Sequence, residues 1–295
     1  MLKSIFKTTK YILNHPLSGR RKWRSILRYV KYQVNKILNP YPIVYSFTNK
    51  AKLVIEPGMT GATGNLYCGL HEFEEMGFLL HFLKPNDLFV DVGANVGTYT
   101  ILASSHIGCN TITFEPISAT YKRLLNNIAI NHIESKVSAY NIGVGAERKI
   151  LKFTDGLDTV NHVIGEKENI KSVEVDVNTL DSFLPEHQVA LLKIDVEGYE
   201  TEVLKGAENL FAEGRVKAVI IELNGSGRMY GFEDEDIHKK LLKYGFKPFR
   251  YNPFTRELSA IPSFGQANTI YLKEWRDAEA IVRNAHSFTV AGEVI

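Results

Sequence analysis

The chain has 295 residues, of which 44% are hydrophobic and 23% are charged, a composition typical of a globular protein with one large core. No apolar run approaches the roughly 18 residues that crossing a bilayer requires, and no apolar stretch with a cleavage site marks a secretory signal. We therefore expect a cytoplasmic protein. The two cysteines, Cys68 and Cys109, have no spacing that indicates a disulfide framework or a metal site.

Charge is distributed unevenly along the chain. The net charge is +2, yet residues 1–50 hold eleven Lys and Arg, and the first acidic residue is Glu56. The remaining 24 basic and 33 acidic residues make the rest of the chain net −9. We interpret residues 1–50 as a basic helical extension, residues 51–280 as the main domain and residues 281–295 as a C-terminal tail.

The basic extension contains an amphipathic pattern. Its apolar residues recur at steps of three and four and are Trp23, Ile26, Leu27, Val30, Val34, Ile37 and Leu38. Because Arg24, Arg28 and Lys31 lie largely on the other side, the pattern predicts a helix, which Pro40 stops. We expect residues 1–40 to contact the inner face of a membrane or a lipid-linked acceptor. The alternative is that the apolar stripe packs on the main domain or on a second subunit.

From residue 80 onward, short β-branched runs alternate with helical stretches, which is typical of a parallel α/β sheet. The predicted strands are Leu88–Val92, Thr111–Phe114, Val137–Val144, Ala190–Ile194, Ala218–Leu223, Phe249–Tyr251 and Thr269–Leu272. The predicted helices are Thr98–Ile107 before Gly108, one that Ser118 N-caps, Tyr199–Phe211, and Glu233–Tyr244 before Gly245. Residues 149–183 interrupt this rhythm and predict a small antiparallel insertion.

The first predicted strand leads into a glycine-bearing turn. Its residues include Asp91, Gly93, Ala94, Asn95 and Gly97. Glycines here let the backbone approach a ligand at the carboxyl ends of the strands, and Glu115, 22 residues past Gly93, is placed to accept hydrogen bonds from an adenosine ribose. Pyrophosphate binding favours glycine at position 95, whereas a sulfonium nucleoside has no phosphate to cradle, and Asn tolerates the left-handed conformation. The turn therefore indicates S-adenosylmethionine.

A second polar group follows the predicted strand Ala190–Ile194. Asp195 and Glu197 stand where the strand order should reverse, so a carboxylate there faces the reacting groups, although either residue could instead cap the next helix. Glu222 ends the following strand. Asp195 and Glu222 could also hold a divalent cation, but no Asp-Asn pair completes such a site, so we predict none.

Four segments together resemble the FkbM-type methyltransferases, a branch of the class I S-adenosylmethionine-dependent enzymes. They are DVGANVGTYT, FEP, LLKIDVEGYETEVLKGAENL and IIELN. The resemblance covers about residues 65–273. It implies a Rossmann-like, doubly wound α/β fold with seven mostly parallel strands, an antiparallel last strand and helices on both faces. It also implies methyl transfer, usually to a hydroxyl of a sugar, a glycolipid or a polyketide-like metabolite.

The turn and the resemblance together give the predicted cofactor-binding residues Asp91, Gly93, Ala94, Asn95, Gly97, Glu115 and Pro116. The resemblance further implies that Asn141, Ile142 and Gly143 contact the adenine side and that Asp195 lies near the sulfonium. Because the leaving group of a sulfonium is already activated, the protein mainly aligns the two substrates and removes the acceptor proton. The candidates for that base are Asp195, Glu197, Glu222 and His162, with His71 as a further imidazole.

The acceptor cannot be named from these residues, and we expect a small molecule or a saccharide. We expect no nucleic-acid partner, and we leave open whether the protein is a homo-oligomer. Two alternatives remain. One is a nicotinamide or nucleotide-sugar enzyme, which Asn95 and the absence of a Tyr-x-x-x-Lys pattern after the glycine turn disfavour. The other is a membrane-surface or nucleic-acid-binding protein that relies on its basic extension.

Overall fold

A computed structural model describes residues 2–56, 59–154, 161–164, 171–265 and 267–295. The strands are β1 Ile43–Ser46, β2 Lys52–Ile55, β3 Leu88–Val92, β4 Asn110–Phe114, β5 Val137–Tyr140, β6 Gly143–Val144, β7 Lys149–Thr154, β8 Ser172–Asn178, β9 Val189–Ile194, β10 Val216–Glu222, β11 Lys247–Asn252, β12 Glu257–Ala260, β13 Asn268–Leu272, β14 Thr289–Val290 and β15 Glu293–Val294.

The α-helices are α1 Leu2–Asn14, α2 Lys22–Leu38, α3 Thr60–Cys68, α4 Phe73–Phe82, α5 Thr98–Ile101, α6 Ser118–Ile130, α7 Leu180–Phe183, α8 Glu200–Lys205, α9 Glu208–Ala212, α10 Asp234–Lys243 and α11 Trp275–Arg283. Segments Pro16–Arg21 and Ser226–Tyr230 are 3-10 helices, and Leu102–Ile107 is a π-helix. No helix in the described part of the chain has the length and apolar character needed to cross a bilayer.

The central sheet has the order β12-β11-β13-β10-β9-β3-β4-β5. The five strands from β10 to β5 are parallel, and β13 runs antiparallel between β10 and β11. The predicted doubly wound sheet is thereby confirmed. It has eight strands rather than seven because the turn after β11 returns the chain as β12, which pairs with β11 at the edge.

The sheet separates two hydrophobic cores. On β3, Phe89 contributes to one core, whereas Val90 and Val92 contribute to the other. All six residues of β9 are buried, as expected for a central parallel strand covered on both faces. The chain passes from β3 outward to β4 and β5 and returns to β9 on the other side of β3. The strand order therefore reverses between β3 and β9, and this point positions the site.

A second, three-stranded sheet has the order β6-β8-β7, with β7 antiparallel to β8. This confirms the antiparallel insertion, of which residues 155–160 and 165–170 lie outside the described part of the chain. The predicted strand Val137–Val144 is split between the two sheets. The side-chain amide nitrogen of Asn141 donates to the backbone carbonyls of Glu115 and Pro116, 2.9 Å from each. These two hydrogen bonds hold the chain where it turns away from the central sheet.

Three predicted helices differ in detail. Tyr199–Phe211 is two helices, because Gly206 lies against the chain at Gly145: a Cβ on Gly206 would stand 1.9 Å from the Gly145 carbonyl oxygen. Thr98–Ile107 continues past Ile101 as a π-helix and ends at Gly108, as predicted, where the glycine adopts the left-handed conformation. The predicted N-cap at Ser118 is wrong by one residue. Ile117 is the N-cap, and the Ser118 hydroxyl donates to Asn141 instead.

The N-terminal extension contacts the main domain. The predicted amphipathic helix is confirmed as α2, which ends before Pro40. Strands β1 and β2 form an antiparallel pair that spans residue 50, the predicted end of the extension. Ile12 of α1 is fully buried in the same core as Phe89 of the central sheet.

One buried amide connects these parts. The Asn127 side chain, fully buried on α6, accepts from the Val54 amide of β2 and donates to the Val96 carbonyl of the glycine turn. We expect Asn127→Ala to lower the free energy of unfolding by about 2–4 kcal/mol, because it leaves the buried Val96 carbonyl and the partly buried Val54 amide unpaired. Urea unfolding measures this loss. The control is Asn126→Ala on the exposed face of the same helix, and equal effects of the two substitutions would contradict the role of the buried amide.

Candidate active site

The glycine turn after β3 passes directly over the end of β9. Gly93 has a φ of +81°, and a Cβ on it would lie 1.8 Å from the Asp195 carbonyl oxygen, so only glycine fits. The Gly93 and Ala94 amides donate to the Phe114 carbonyl at the end of β4. Asn95 has a φ of +51°, which confirms the predicted left-handed conformation, and its side chain accepts from the Val96 amide.

Glu115 lies under this turn with its carboxylate buried. One oxygen accepts from the Asn95 amide at 3.0 Å, and the other accepts from the Ile117 amide at 2.9 Å. Burial raises the pKa of Glu115 to about 7, although both backbone bonds oppose the shift. The carboxylate is therefore held in one orientation by backbone donors before any ligand binds.

A cavity of about 1210 Å³ opens above these residues. All the predicted cofactor-binding residues except Gly97 and Asn141 line it. Gly97 is instead the N-cap of α5, in the left-handed conformation. The Asn141 side chain instead bonds to the backbone at Glu115 and Pro116 and so positions the chain at those two residues. Typical small-molecule sites enclose roughly 300–1,000 Å³, so this cavity has room for two substrates side by side.

The predicted carboxylates meet at one end of the cavity. Asp195, Glu197 and Glu222 each place a carboxylate oxygen within 4.8 Å of the other two. Glu197 adopts a φ of +53°, which is unusual for a residue with a side chain. Glu200 holds this loop, because its carboxylate accepts from the Val196 and Gly198 amides. The topology thus brings the ends of two neighbouring strands, β9 and β10, into one cluster.

Mutual repulsion and burial set the protonation of this cluster. Burial raises the pKa of Glu197 to about 7, with further contributions from Asp195 and Glu200. Burial, together with the charges of Asp195 and Glu197, raises the pKa of Glu222 well above its ordinary range. One oxygen of Glu222 is buried and has no hydrogen-bond partner in the described part of the chain. Near neutral pH the cluster therefore contains a protonated carboxyl beside one that is half ionised.

Sequence reasoning missed Lys193, which stands beneath the cluster. Its ammonium lies 2.6 Å from Asp195 and 4.7 Å from the centre of the Tyr99 ring. Burial opposes its protonation, but the carboxylates of Asp195, Glu72 and Asp91 outweigh burial and keep its pKa above the usual range. The signal in the sequence is a single lysine within the otherwise apolar strand VALLKI, because lysine is almost never fully buried unless it is paired.

Tyr99 and Glu72 continue the network beneath the cavity. The Tyr99 hydroxyl donates to Glu72 at 2.6 Å, and the other Glu72 oxygen accepts from Asn268 of β13. Asp91, fully buried, accepts from the amide and hydroxyl of Thr100 with one oxygen. Its other oxygen has no partner among the described residues. Residues that precede α4 or lie in α5, β3, β9 and β13 therefore form one polar layer beneath the cavity, which we call the polar floor.

The two candidate histidines have different surroundings. His162 does not line the cavity, but it interacts electrostatically with Glu197 and opposes the rise in the pKa of that carboxyl. His71 lines the cavity, and its ring nitrogen is 2.6 Å from the Tyr11 hydroxyl of α1. His71 therefore belongs to the wall formed with the N-terminal extension.

Comparison with known proteins agrees with this geometry. The family model of the methyltransferase FkbM domain matches residues 91–248, more than half of the chain. The chain belongs to the FkbM methyltransferase family. The matched residues run from the first residue of the glycine turn through Glu115 and the carboxylate cluster. Family membership supports methyltransferase function and does not favour a nicotinamide or nucleotide-sugar enzyme.

Three similar proteins are all named methyltransferases. Methyltransferase 1 of Beauveria bassiana is 33% identical over 42% of this chain, and the match spans 60% of that protein, less than two thirds of its length. The hexuronic acid methyltransferase AglP of Haloferax volcanii is 28% identical over 58% of this chain and 67% of its own. The 31-O-demethyl-FK506 methyltransferase FkbM of Streptomyces tacrolimicus is 26% identical over 48% of this chain and 67% of its own.

The buried ion pair gives a stability prediction. We expect Lys193→Met to lower the free energy of unfolding by about 3–5 kcal/mol at pH 8, because it leaves buried carboxylates without their cation. The deficit should shrink at pH 5, since those carboxylates have raised pKa values without Lys193 and become neutral as the pH falls. Urea unfolding at both pH values measures it. As a control, Lys205→Met removes the exposed pair with Glu202 and should cost at most about 1 kcal/mol. A deficit that is the same at both pH values would contradict the assignment.

Proposed function

We propose that this protein transfers the methyl group of S-adenosylmethionine to a hydroxyl of a small-molecule or saccharide acceptor. The observation that carries the proposal is the continuity of one cavity from the glycine turn and Glu115 to the cluster of Asp195, Glu197 and Glu222. A donor site and a proton-accepting site in one enclosure are what an in-line displacement needs. The matched FkbM domain supports the same conclusion.

The described residues fit the donor. Glu115 offers a carboxylate of fixed orientation, which suits the two ribose hydroxyls. Asp91 lines the cavity, and its unpartnered carboxylate oxygen suits the cationic amino group. The close passage of Gly93 over Asp195 leaves the turn free of side chains at that point. When bound, S-adenosylmethionine would supply an electrophilic methyl group and a neutral thioether leaving group.

Within the cluster, Glu197 is the proposed general base. Its pKa of about 7 matches the working range of a base near neutral pH, and it lines the cavity. Asp195 is engaged with Lys193 at 2.6 Å and is better suited to orient the loop and the acceptor. Glu222, protonated near neutral pH, would donate a hydrogen bond to the acceptor oxygen. A divalent cation held by the same three carboxylates is the alternative to direct proton transfer.

The proposal of a hydroxyl acceptor rests on the cavity wall and on the relatives. Tyr29, Tyr32 and Gln33 of α2 line the cavity beyond the cluster, and aromatic faces with amide groups suit a ring that carries hydroxyls. The names of two relatives specify a hexuronic acid and 31-O-demethyl-FK506 as substrates, and both support the proposal of a hydroxyl acceptor.

The donor assignment predicts a binding defect. We expect Glu115→Ala to weaken S-adenosylmethionine binding by about 1–3 kcal/mol, because it removes charged hydrogen bonds to the ribose. Isothermal titration calorimetry measures the dissociation constant, and Glu147→Ala, at an exposed position outside the cavity, is the control. An unchanged dissociation constant in a folded Glu115→Ala variant would refute the donor site.

The assignment of the base predicts a change in the pH profile. In the unmodified enzyme, turnover should rise as the pH increases through about 7, because Glu197 accepts a proton only when ionised. Glu197→Gln should reduce turnover by about 100- to 10,000-fold, abolish that rise and leave S-adenosylmethionine affinity unchanged. The exposed substitution Glu208→Gln should change none of these. Turnover in excess chelator separates the alternatives: retained activity supports direct proton transfer, and lost activity supports a divalent cation.

A further inference from the structure

Helix α2 turns an apolar surface toward solvent. The outer stripe consists of six exposed apolar side chains that share one face of the helix: Trp23, Leu27, Val30, Val34, Ile37 and Leu38. Their exposure reaches 63% at Trp23, 78% at Leu38 and 83% at Ile37. Contiguous apolar surface of this kind marks an interaction site rather than ordinary protein surface.

The opposite face of the same helix is already docked on the protein. Ser25 and Tyr32 are buried, and the Arg28 guanidinium donates to the Tyr67 carbonyl at 2.7 and 3.0 Å. A helix on the surface of a globular protein normally turns its apolar face to the core, and α2 does the reverse. The six residues of the outer stripe therefore do not pack on the main domain, although Ile26 contacts the core in part.

The neighbouring helix α1 extends this surface. It adds the exposed side chains of Ile5, Phe6 and Leu13, and Phe6 is 72% exposed. The basic residues with exposed positions on the two helices are Lys7, Lys10, Lys22, Arg24, Lys31 and Lys36. The Arg24 guanidinium lies 5.3 Å from the centre of the Trp23 ring. Apolar side chains flanked by cations are the pattern of a helix that lies in the headgroup layer of a membrane.

We infer that the α1–α2 surface docks on an anionic lipid bilayer. Charge complementarity selects this occupant, since residues 1–50 hold eleven cations and no acidic residue. A symmetric dimer through the same face would bring these cations against an identical set with no carboxylate of the extension to pair with them. Nucleic acid would pair with the cations but would leave the outer stripe in water.

The cavity opens on this same surface. Ile5, Lys7, Lys36 and Ile37, all exposed, line its outer end, and Asp91 and Glu115 line its inner end. Docking of α1 and α2 would therefore turn the cavity mouth toward the headgroup layer. An acceptor that is itself part of an amphiphile could then enter without leaving the membrane surface. The docking depends only on the surface of α1 and α2 and does not depend on the proposed methyl transfer.

Vesicle co-sedimentation of the full chain, without S-adenosylmethionine or an acceptor, tests the docking. We expect binding to vesicles of 70% phosphatidylcholine and 30% phosphatidylglycerol that is at least tenfold tighter than to pure phosphatidylcholine, and weaker in 0.5 M than in 0.1 M NaCl. In a Trp275→Phe background, the fluorescence of Trp23 should shift to shorter wavelength as it enters the headgroup layer. Equal binding to both vesicle types, or an unshifted spectrum, would overturn the inference.

Matched variants locate the surface. Two variants change only exposed side chains of this surface: the triple variant Trp23→Ser/Val30→Ser/Val34→Ser and the double variant Arg24→Glu/Lys31→Glu. Both should retain the unmodified melting temperature and bind anionic vesicles at least tenfold more weakly. Two control variants change exposed residues elsewhere: Leu242→Ser and the double variant Lys122→Glu/Lys243→Glu. Both controls should bind anionic vesicles with an affinity within twofold of that of the unmodified protein. If the serine variant binds vesicles normally but converts a dimer into a monomer in sedimentation velocity, the stripe is a subunit interface. Binding to duplex DNA without binding to vesicles would identify nucleic acid as the occupant. Either result would overturn the bilayer.

Discussion

The polar floor of the cavity depends on one buried cation. Lys193 lies on the central strand β9 and is almost completely buried beside several carboxylates. Among the described residues, no other buried lysine or arginine lies near these carboxylates. An ammonium that loses its hydration on burial is tolerated only when opposite charges surround it. Asp195 meets it directly, and Glu72 and Asp91 add to its stabilisation. The loop after β9 is therefore anchored at its first residue, which leaves Glu197 to project into the cavity.

The same sheet edge presents carboxylates in two kinds of surroundings. Burial raises the pKa of all three glutamates, but Glu115 keeps a fixed orientation because backbone amides donate to both of its oxygens, whereas Glu197 and Glu222 lie in a cluster of carboxylates. A donor site needs a preformed acceptor of hydrogen bonds, and a base needs a carboxylate that changes protonation near neutral pH. The reversal of strand order between β3 and β9 provides both within one cavity.

The basic extension connects this site to the exterior. Helix α2 contributes Tyr32 to the core, Tyr29 and Gln33 to the cavity wall, and its outer stripe to the solvent. One helix thus serves the fold, the cavity and an external surface through three of its faces. The sequence pattern alone showed an amphipathic helix but not which face was docked, because an apolar stripe ordinarily packs inward.

Local patterns in the sequence determined much of this protein. Alternation of apolar runs predicted the sheet, and Asn95 and Glu115 were recognisable because a glycine turn and a distant acid are encoded in short segments with characteristic spacing. Only the tertiary structure decided that Asp195, Glu197 and Glu222 form one cluster, that Lys193 compensates it and that the helix predicted at Tyr199–Phe211 is broken. These features depend on contacts between residues that are far apart in the chain, such as Gly206 and Gly145. The periodicity of a single segment does not indicate which distant segment will pack against it.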